Sequence, residues 1–189
     1  MEKQRCPWPA NDQLMVDYHD KEWGVPLHDD RKIFEFMVLD AFQAGLSWAI
    51  VLKKREGFRA AFDNFQPEKI AKYNMEDYER LLNDAAIIRN RAKIQATITN
   101  AQKFLEVQKE FGTFARYLWN FVAGKPIVNT YKKLEDFPTK SELSDKVSKD
   151  LLKRGFKFVG TTITYSFLEA AGLLNNHMRT CFRYKEVQP

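Results

Sequence analysis

From Asp30 onward the apolar residues recur at three- and four-residue spacing, the mark of helices with one buried stripe. Ile33, Phe34, Met37, Val38 and Ala41 make the first stripe, with Asp29 or Asp30 placed to cap its start. Gly45 breaks that helix, and Ser47 can cap a next one running from Trp48 towards Phe62. Pro67 suits a helix N-terminus before Ile70, and Asn74 with Asp77 resembles a shortened capping box ahead of Tyr78, Leu81 and Leu82. The pattern then predicts helices over Arg91–Phe111, Thr113–Phe121, Ser141–Lys153 and Thr161–Ala171. Between them, residues 124–141 hold Gly124, Pro126 and Pro138 and read as a connector, with an extended piece at Ile127–Thr130. No period-two strand finds a partner. Residues 1–29 carry Pro7, Pro9 and Pro26 and read as irregular, apart from a short helical turn within Asp17–Trp23. The expectation is an all-α fold in one domain, residues 1–189, with an irregular N-terminus (1–29) docked on a helical core (30–182).

The 189 residues, 44% of them hydrophobic, suffice for one real core. Aromatics at 14% exceed what a plain helical bundle needs, so rings are free to line a pocket. A formal charge of +5 suits a polyanionic partner without specifying one. No stretch approaches the ~18 apolar residues of a membrane span, and the opening residues lack the apolar run of a secretory signal. The only cysteines, Cys6 and Cys181, stand at opposite ends of the chain, which argues against a disulfide framework and for a reducing cytoplasm.

Three features could carry chemistry. The first is Arg154-Gly155-Phe156-Lys157-Phe158-Val159-Gly160-Thr161-Thr162, between two helices. A turn bracketed by glycines lets backbone N–H groups point outward towards a phosphate, and the following helix N-terminus adds its dipole. Lys153, Arg154 and Lys157 supply positive charge, so the segment looks like the hairpin of a helix-hairpin-helix DNA-binding motif; an ordinary connector with glycine caps is the alternative. The second is the set Cys6, His19, His177 and Cys181. Two cysteines and two histidines are the composition of a closed structural zinc site, which would tie the two ends of the chain together. His177 and Cys181, four apart, share a face if that stretch is helical; unrelated buried thiols and histidines are the alternative. His28 reads as a solvated loop residue. The third is Asp40 in an otherwise apolar helix before a break, with Trp48 just after it and Tyr18 and Trp23 upstream. Such a carboxylate must be solvated, paired or functional. Lys53-Lys54-Arg55 and Arg89, Arg91, Lys93 read as solvated helix faces.

Four blocks in order then match a known family. Tyr18-His19-Asp20-Lys21-Glu22-Trp23-Gly24-Val25-Pro26 is one, and Gln43-Ala44-Gly45-Leu46-Ser47-Trp48, followed by Leu52-Lys53-Lys54-Arg55, is another. Ile87-Ile88-Arg89-Asn90-Arg91-Ala92-Lys93-Ile94 and the hairpin segment from Lys153 to Thr162 complete the set. Over about residues 5–182 the chain resembles DNA-3-methyladenine glycosylase I, the Tag family. The resemblance implies a helix-hairpin-helix glycosylase fold. It implies one zinc on Cys6, His19, His177 and Cys181, and a base pocket at Tyr18, Trp23, Asp40 and Trp48 with Trp8 nearby. Leu46 falls where a side chain could fill the gap left by a flipped base, and Gly155, Lys157, Gly160 and Thr161 fall in the DNA-contacting hairpin. Two positions depart from the pattern: Asp40 stands where the family usually has Glu, and Met15 where it commonly has Tyr. Both bear on substrate range.

The implied reaction is hydrolysis of the bond between 3-methyladenine and deoxyribose in double-stranded DNA. Aromatic faces attract a cationic base by ~0.5–2 kcal/mol per contact, and a carboxylate adds charge and accepts hydrogen bonds. A cationic base leaves as a neutral molecule, so little general-acid help is needed. Many superfamily relatives carry a catalytic Asp after the hairpin helix, but here that stretch reads Leu174-Asn175-Asn176-His177. Nor is any lysine clearly placed as a Schiff-base nucleophile. The expectation is therefore a monofunctional enzyme using water, with Asp40 as its catalytic residue. It would be a monomeric cytoplasmic protein of bacterial type, associated with the nucleoid while acting and with no membrane. The alternatives are a same-fold glycosylase with a different alkyl-base preference, or an inactive zinc-stabilised DNA-binding module.

Overall fold

A computed structural model describes residues 3–188. Eleven α-helices carry the fold among them: α1 Gln13–Lys21, α2 Asp30–Gln43, α3 Trp48–Lys53, α4 Arg55–Ala61, α5 Pro67–Ile70, α6 Met75–Asn83, α7 Arg91–Phe111, α8 Phe114–Asn120, α9 Glu142–Lys153, α10 Thr161–Ala170 and α11 Arg183–Glu186. The core is built around α2. Every residue from Ile33 to Phe42 is buried, so this helix is covered all round, by α3, α7, α8 and α10. Its start is fixed by two acids. Asp29 caps it by accepting from Lys32 N–H at 2.9 Å, and Asp30 accepts from the Phe114 and Ala115 N–H groups at 2.7 Å. Asp30 thereby satisfies free amides at the start of α8.

The end of α2 is fixed by Lys93. Its ammonium donates to the carbonyls of Phe42, at 2.9 Å, and Ala44, at 2.6 Å. This residue is buried, so the expected solvated face of Arg89, Arg91 and Lys93 does not include it. A cation reaching the open carbonyls of a helix C-terminus is stabilised there by the helix dipole. Arg55 departs from expectation for a related reason. The helix expected over Trp48–Phe62 breaks at Lys54 (φ −97°, ψ 1°), which turns Arg55 inward. The buried guanidinium pairs with Glu22 and Glu35 at 2.7 Å and joins α4 to α1 and α2.

The N-terminal segment is more ordered than its prolines suggest. Asp12 caps α1 by accepting from the Leu14 and Met15 N–H groups, so the turn expected at Asp17–Trp23 is the second half of a longer helix. The segment is seated where Gly172 (φ +73°) follows α10: a Cβ there would lie 2.3 Å from the Val25 backbone, a contact only glycine permits. The connector holds one short strand, β1 Ile127–Val128, which pairs in parallel with β2 Leu174–Asn175. Two residues per strand carry too little alternation to read from sequence. No helix among the described residues is long and apolar enough to cross a membrane.

Candidate active site and metal centre

A cavity of about 230 Å³ opens where α1, α2, α3 and α10 converge. Trp8 and Trp23 form one wall, their rings 5.1 Å apart and nearly perpendicular. Tyr18 and Met15 enter from α1, and Trp48 from the first turn of α3, 5.1 Å from the Tyr18 ring. Asp40 and Gln43 enter from α2, Ser166 and Glu169 from α10. Leu134 and Phe137 reach over from the connector. All five pocket residues expected from sequence, Trp8, Tyr18, Trp23, Asp40 and Trp48, thus line one space. Ser166, Glu169, Leu134 and Phe137 were not anticipated. For Glu169 a signal existed: it is an acid in the apolar run Phe167-Leu168-Glu169-Ala170-Ala171, the same anomaly that singled out Asp40.

Asp40 does not face solvent; it is 4% exposed and its Oδ2 has no hydrogen-bond partner among the described residues. Burial, reinforced by Glu169, holds its carboxyl well above the usual range. Glu169 is also pushed up by burial, to about 7, with Asn176 working the other way. The indole N–H groups of Trp8 and Trp48 are likewise buried without partners among the described residues. A cavity edged by unsatisfied donors and acceptors, with aromatic faces between them, suits a flat polar ligand.

A second groove, about 210 Å³, adjoins this cavity and shares Asp40, Gln43 and Ser166 with it. Its far side is Gly45 and Leu46 across from Thr162 and Ile163 at the start of α10. Leu46 is 39% exposed, an apolar side chain standing in solvent at the cavity mouth. The hairpin between α9 and α10 therefore opens onto the same face. Gly155 (φ +94°) begins the hairpin, and Phe156 and Val159 plug it into the core. Not all of its backbone is free: Lys157 N–H donates to Asn100 Oδ1 at 2.8 Å, and Asn100 returns a bond to Lys157 O at 2.9 Å. The Thr161 hydroxyl is engaged by Asp145 and Ser144, and Arg154 by Asp150 and Glu110. What stays open is the N-terminus of α10, which lacks a side-chain cap, and the space beside the Gly160 Cα, where an added methyl group would meet nothing within 4 Å.

Cys6, His19, His177 and Cys181 meet behind the tryptophan wall, all buried, with their donor atoms within 4.8 Å of one another. Cys181 Sγ lies 3.5 Å from both His19 Nε2 and His177 Nδ1, and Cys6 Sγ lies 3.8 Å from His177 Nδ1. Donor separations of roughly 3.5 Å are those of a tetrahedral ion with bonds of about 2.0–2.3 Å, so the four residues fit a metal of that geometry. The outer contacts fit too. His19 Nδ1 faces Asp20 at 2.8 Å and His177 Nε2 faces the Trp23 carbonyl at 3.0 Å, leaving one nitrogen of each ring for the ion. The two sulfurs share one proton: a hydrogen bond from Cys6 draws the Cys181 thiol down while the same contact pushes Cys6 up, so Cys181 is the first of the pair to offer a thiolate. The stretch is not helical: His177 and Cys181 come together through a turn, Cys181 N–H to Met178 O at 2.8 Å. His28 is exposed, as expected, yet stacks on Trp119 at 4.8 Å.

Helical architecture, an acidic aromatic cavity and an uncapped helix behind a glycine hairpin define a class: a small α-helical protein with a cavity shaped for a flat ligand beside an open helix N-terminus. The chain matches the methyladenine glycosylase family over residues 8–184 and belongs to that family. It is 50% identical over 186 residues to DNA-3-methyladenine glycosylase 1 of Escherichia coli K12, covering 98% of this chain and 100% of the relative. It is 46% identical to DNA-3-methyladenine glycosylase of Haemophilus influenzae, covering 94% and 96%. A crystal structure of 3-methyladenine DNA glycosylase I superimposes with a TM-score of 0.92 at 50% identity, covering 98% and 100%. A tyrosine-to-phenylalanine variant of such an enzyme, in complex with 3-methyladenine, superimposes with a TM-score of 0.91 at 38% identity, covering 94% and 96%.

Proposed function

We propose that this protein is a base-excision-repair glycosylase that hydrolyses the N-glycosidic bond of 3-methyladenine in double-stranded DNA. The observation that carries the reading is the cavity itself: five aromatic side chains, the buried Asp40 and the half-buried Glu169 around a space at the protein surface, in a chain of this family. The damaged nucleotide leaves the helix and enters the cavity, at lower cost for a weakened pair. Trp8, Trp23, Trp48 and Tyr18 hold its faces, Asp40 meets its edge, and Leu46 fills the space it leaves. Phosphate binds at the open N-terminus of α10 beside Gly160, with Gly155, Lys157 and Thr161 shaping the hairpin.

In the reaction the C1′–N9 bond breaks. The base departs with the electron pair, which neutralises its charge, and water adds to the sugar cation and releases a proton. Catalysis rests on binding the separating cation and base better than the intact nucleotide. Asp40 is the catalytic residue because it touches the base. No lysine among the described residues lines the cavity, which favours a monofunctional enzyme without strand cleavage. Cys6, His19, His177 and Cys181 hold one zinc ion that fixes the two chain ends and takes no part in the reaction. The protein works as a monomer of one domain in the cytoplasm, at the nucleoid. A different alkyl-base preference is the second reading. Met15 favours it, because it lines the cavity where the family commonly places Tyr.

Chromatography of bases released from methylated DNA decides between these readings. Release chiefly of 3-methyladenine is expected; another alkyl base as main product selects the second reading, and none at all overturns both. Asp40→Ala is expected to cut single-turnover release about ten- to a hundredfold, the worth of one or two hydrogen bonds to the base. Affinity for abasic-site DNA should stay within about twofold, since backbone contacts lie elsewhere.

A further inference from the structure

Asp40 and Glu169 form an acidic pair that the proposed reaction uses on one side only. They project from packed helices, α2 and α10, into the same cavity, whose lining contains no Lys, Arg or His among the described residues. Two carboxylates in one poorly hydrated space share their protons, because two like charges there repel and neither is well solvated. We propose that Glu169 is a specificity-determining residue of this cavity: it holds the negative charge that selects a cationic base, while Asp40 stays protonated and acts through hydrogen bonds. The proposal rests on the glycosylase reading and assigns the division of labour within its site.

The hydrogen-bond geometry decides which acid ionises. Asn176 donates to Glu169 Oε1 at 2.6 Å. The Asn176 amide is held by two further bonds, its Oδ1 accepting from Asn129 and its NH2 donating to the Tyr165 hydroxyl, both at 2.7 Å, which aims the NH2 at Glu169. A donor locked on a carboxyl group favours the charged form. Asp40 Oδ2 has no donor among the described residues. Other charges nearby do not reverse this. Glu22 and Arg55 lie behind the Tyr18 ring and pair with each other at 2.7 Å, while Glu35 accepts from both Arg55 and Arg59. In agreement, Asp40 lies well above the carboxylate range and Glu169 at about 7. A protonated Asp40 can donate its O–H to a ring nitrogen and accept from an exocyclic amine, so it recognises the shape of adenine without regard to charge.

Quenching of the cavity tryptophans by two free probes tests the assignment. 9-Methyladenine is neutral, and 3,9-dimethyladeninium differs from it by one methyl group and one permanent positive charge. At pH 7.5 the wild-type protein is expected to bind the cation at least about tenfold more tightly, as a partly buried charge pair would give. Glu169→Gln should bring that ratio to within about threefold of unity and leave affinity for the neutral probe within about threefold. Asp40→Asn should weaken or preserve both affinities together and keep the ratio. A Glu169→Gln protein that retains the ratio overturns the proposal, and so does an Asp40→Asn protein that loses it. If Glu169→Gln does not fold, the Asp40→Asn ratio alone decides. Wild-type protein that releases base from methylated DNA yet shows no cation preference refutes the division of labour only; protein that neither releases base nor responds to either probe refutes the glycosylase reading with it.

Discussion

Each acid of the cavity interrupts an apolar helix at one position, and each is kept there at a cost to the folded state. Glu169 shows the sign of that cost. Its carboxyl is raised by burial from an ordinary value of 4.5 to about 7, so the native protein keeps a proton that the unfolded chain gives up. The native form therefore binds more protons than the unfolded one between these values, and stability falls as pH rises through about 7. Glu169→Gln removes the titration and should be more stable than wild type by a margin that grows between pH 5 and pH 8. A growth of roughly a few degrees in the difference of melting temperatures is expected. Equal differences at both pH values would show that Glu169 does not titrate in this window. At this scale the sequence made Asp40 visible through its apolar neighbours, and the same test applied to Glu169 would have worked. Asn176, Ser166, Leu134 and Phe137 had no such mark. A polar residue near a chain turn and apolar residues in a connector are ordinary, and only the folded chain brings Ser166, Leu134 and Phe137 to the cavity wall and sets Asn176 behind Glu169.

At the scale of elements, periodicity revealed the long helices and local conformation hid the joints. α2, α7, α9 and α10 follow their apolar spacing closely, whereas the break at Lys54 depends on Arg55 finding Glu22 and Glu35 far away in sequence. The hairpin between α9 and α10 is a joint of this kind. Its glycines were visible, but Lys157 N–H proves to be tied to Asn100, and Arg154 to Glu110 and Asp150. This narrows the expected phosphate contact from the whole hairpin to Gly160 and the first amides of α10. Gly160→Asp should then weaken binding of abasic-site DNA about equally for all sequences, because a carboxylate enters the space where a phosphate approaches. The φ of Gly160 is −59°, and a side chain there meets no neighbour, so the substitution should leave the melting temperature within roughly 2 °C. Affinity measured across two or more DNA sequences checks this. Unchanged affinity in the folded variant would make the hairpin a plain helix connector.

Across the whole molecule the Cys/His cluster and the cavity are two sides of one wall. The Trp23 ring lies 4.6 Å from the His177 ring and the Trp8 ring 5.3 Å from that of His19, while both indoles face the cavity. The four side chains come from the two ends of the chain, so an ion held there would close a loop of nearly its full length around the cavity. The composition of this set could be read from the sequence; its closure could not, because it depends on α1 seating against the turn after β2. The acids belong to α2 and α10, which are held by the apolar core and not by the ion. Two consequences separate. Protein prepared without a histidine tag should carry about one equivalent of zinc by elemental analysis. His177→Ala should lose that zinc and melt roughly 10 °C lower, since the remaining thiols and histidine stay buried without the ion that compensates them. Below its lowered melting point the variant should still release 3-methyladenine, with weaker affinity for the free base because the wall of Trp8 and Trp23 is less firmly backed. Zinc far below one equivalent in folded wild-type protein would remove the metal from this account. Zinc-loaded wild type and metal-free variant of equal stability would show that the ion binds without holding the termini.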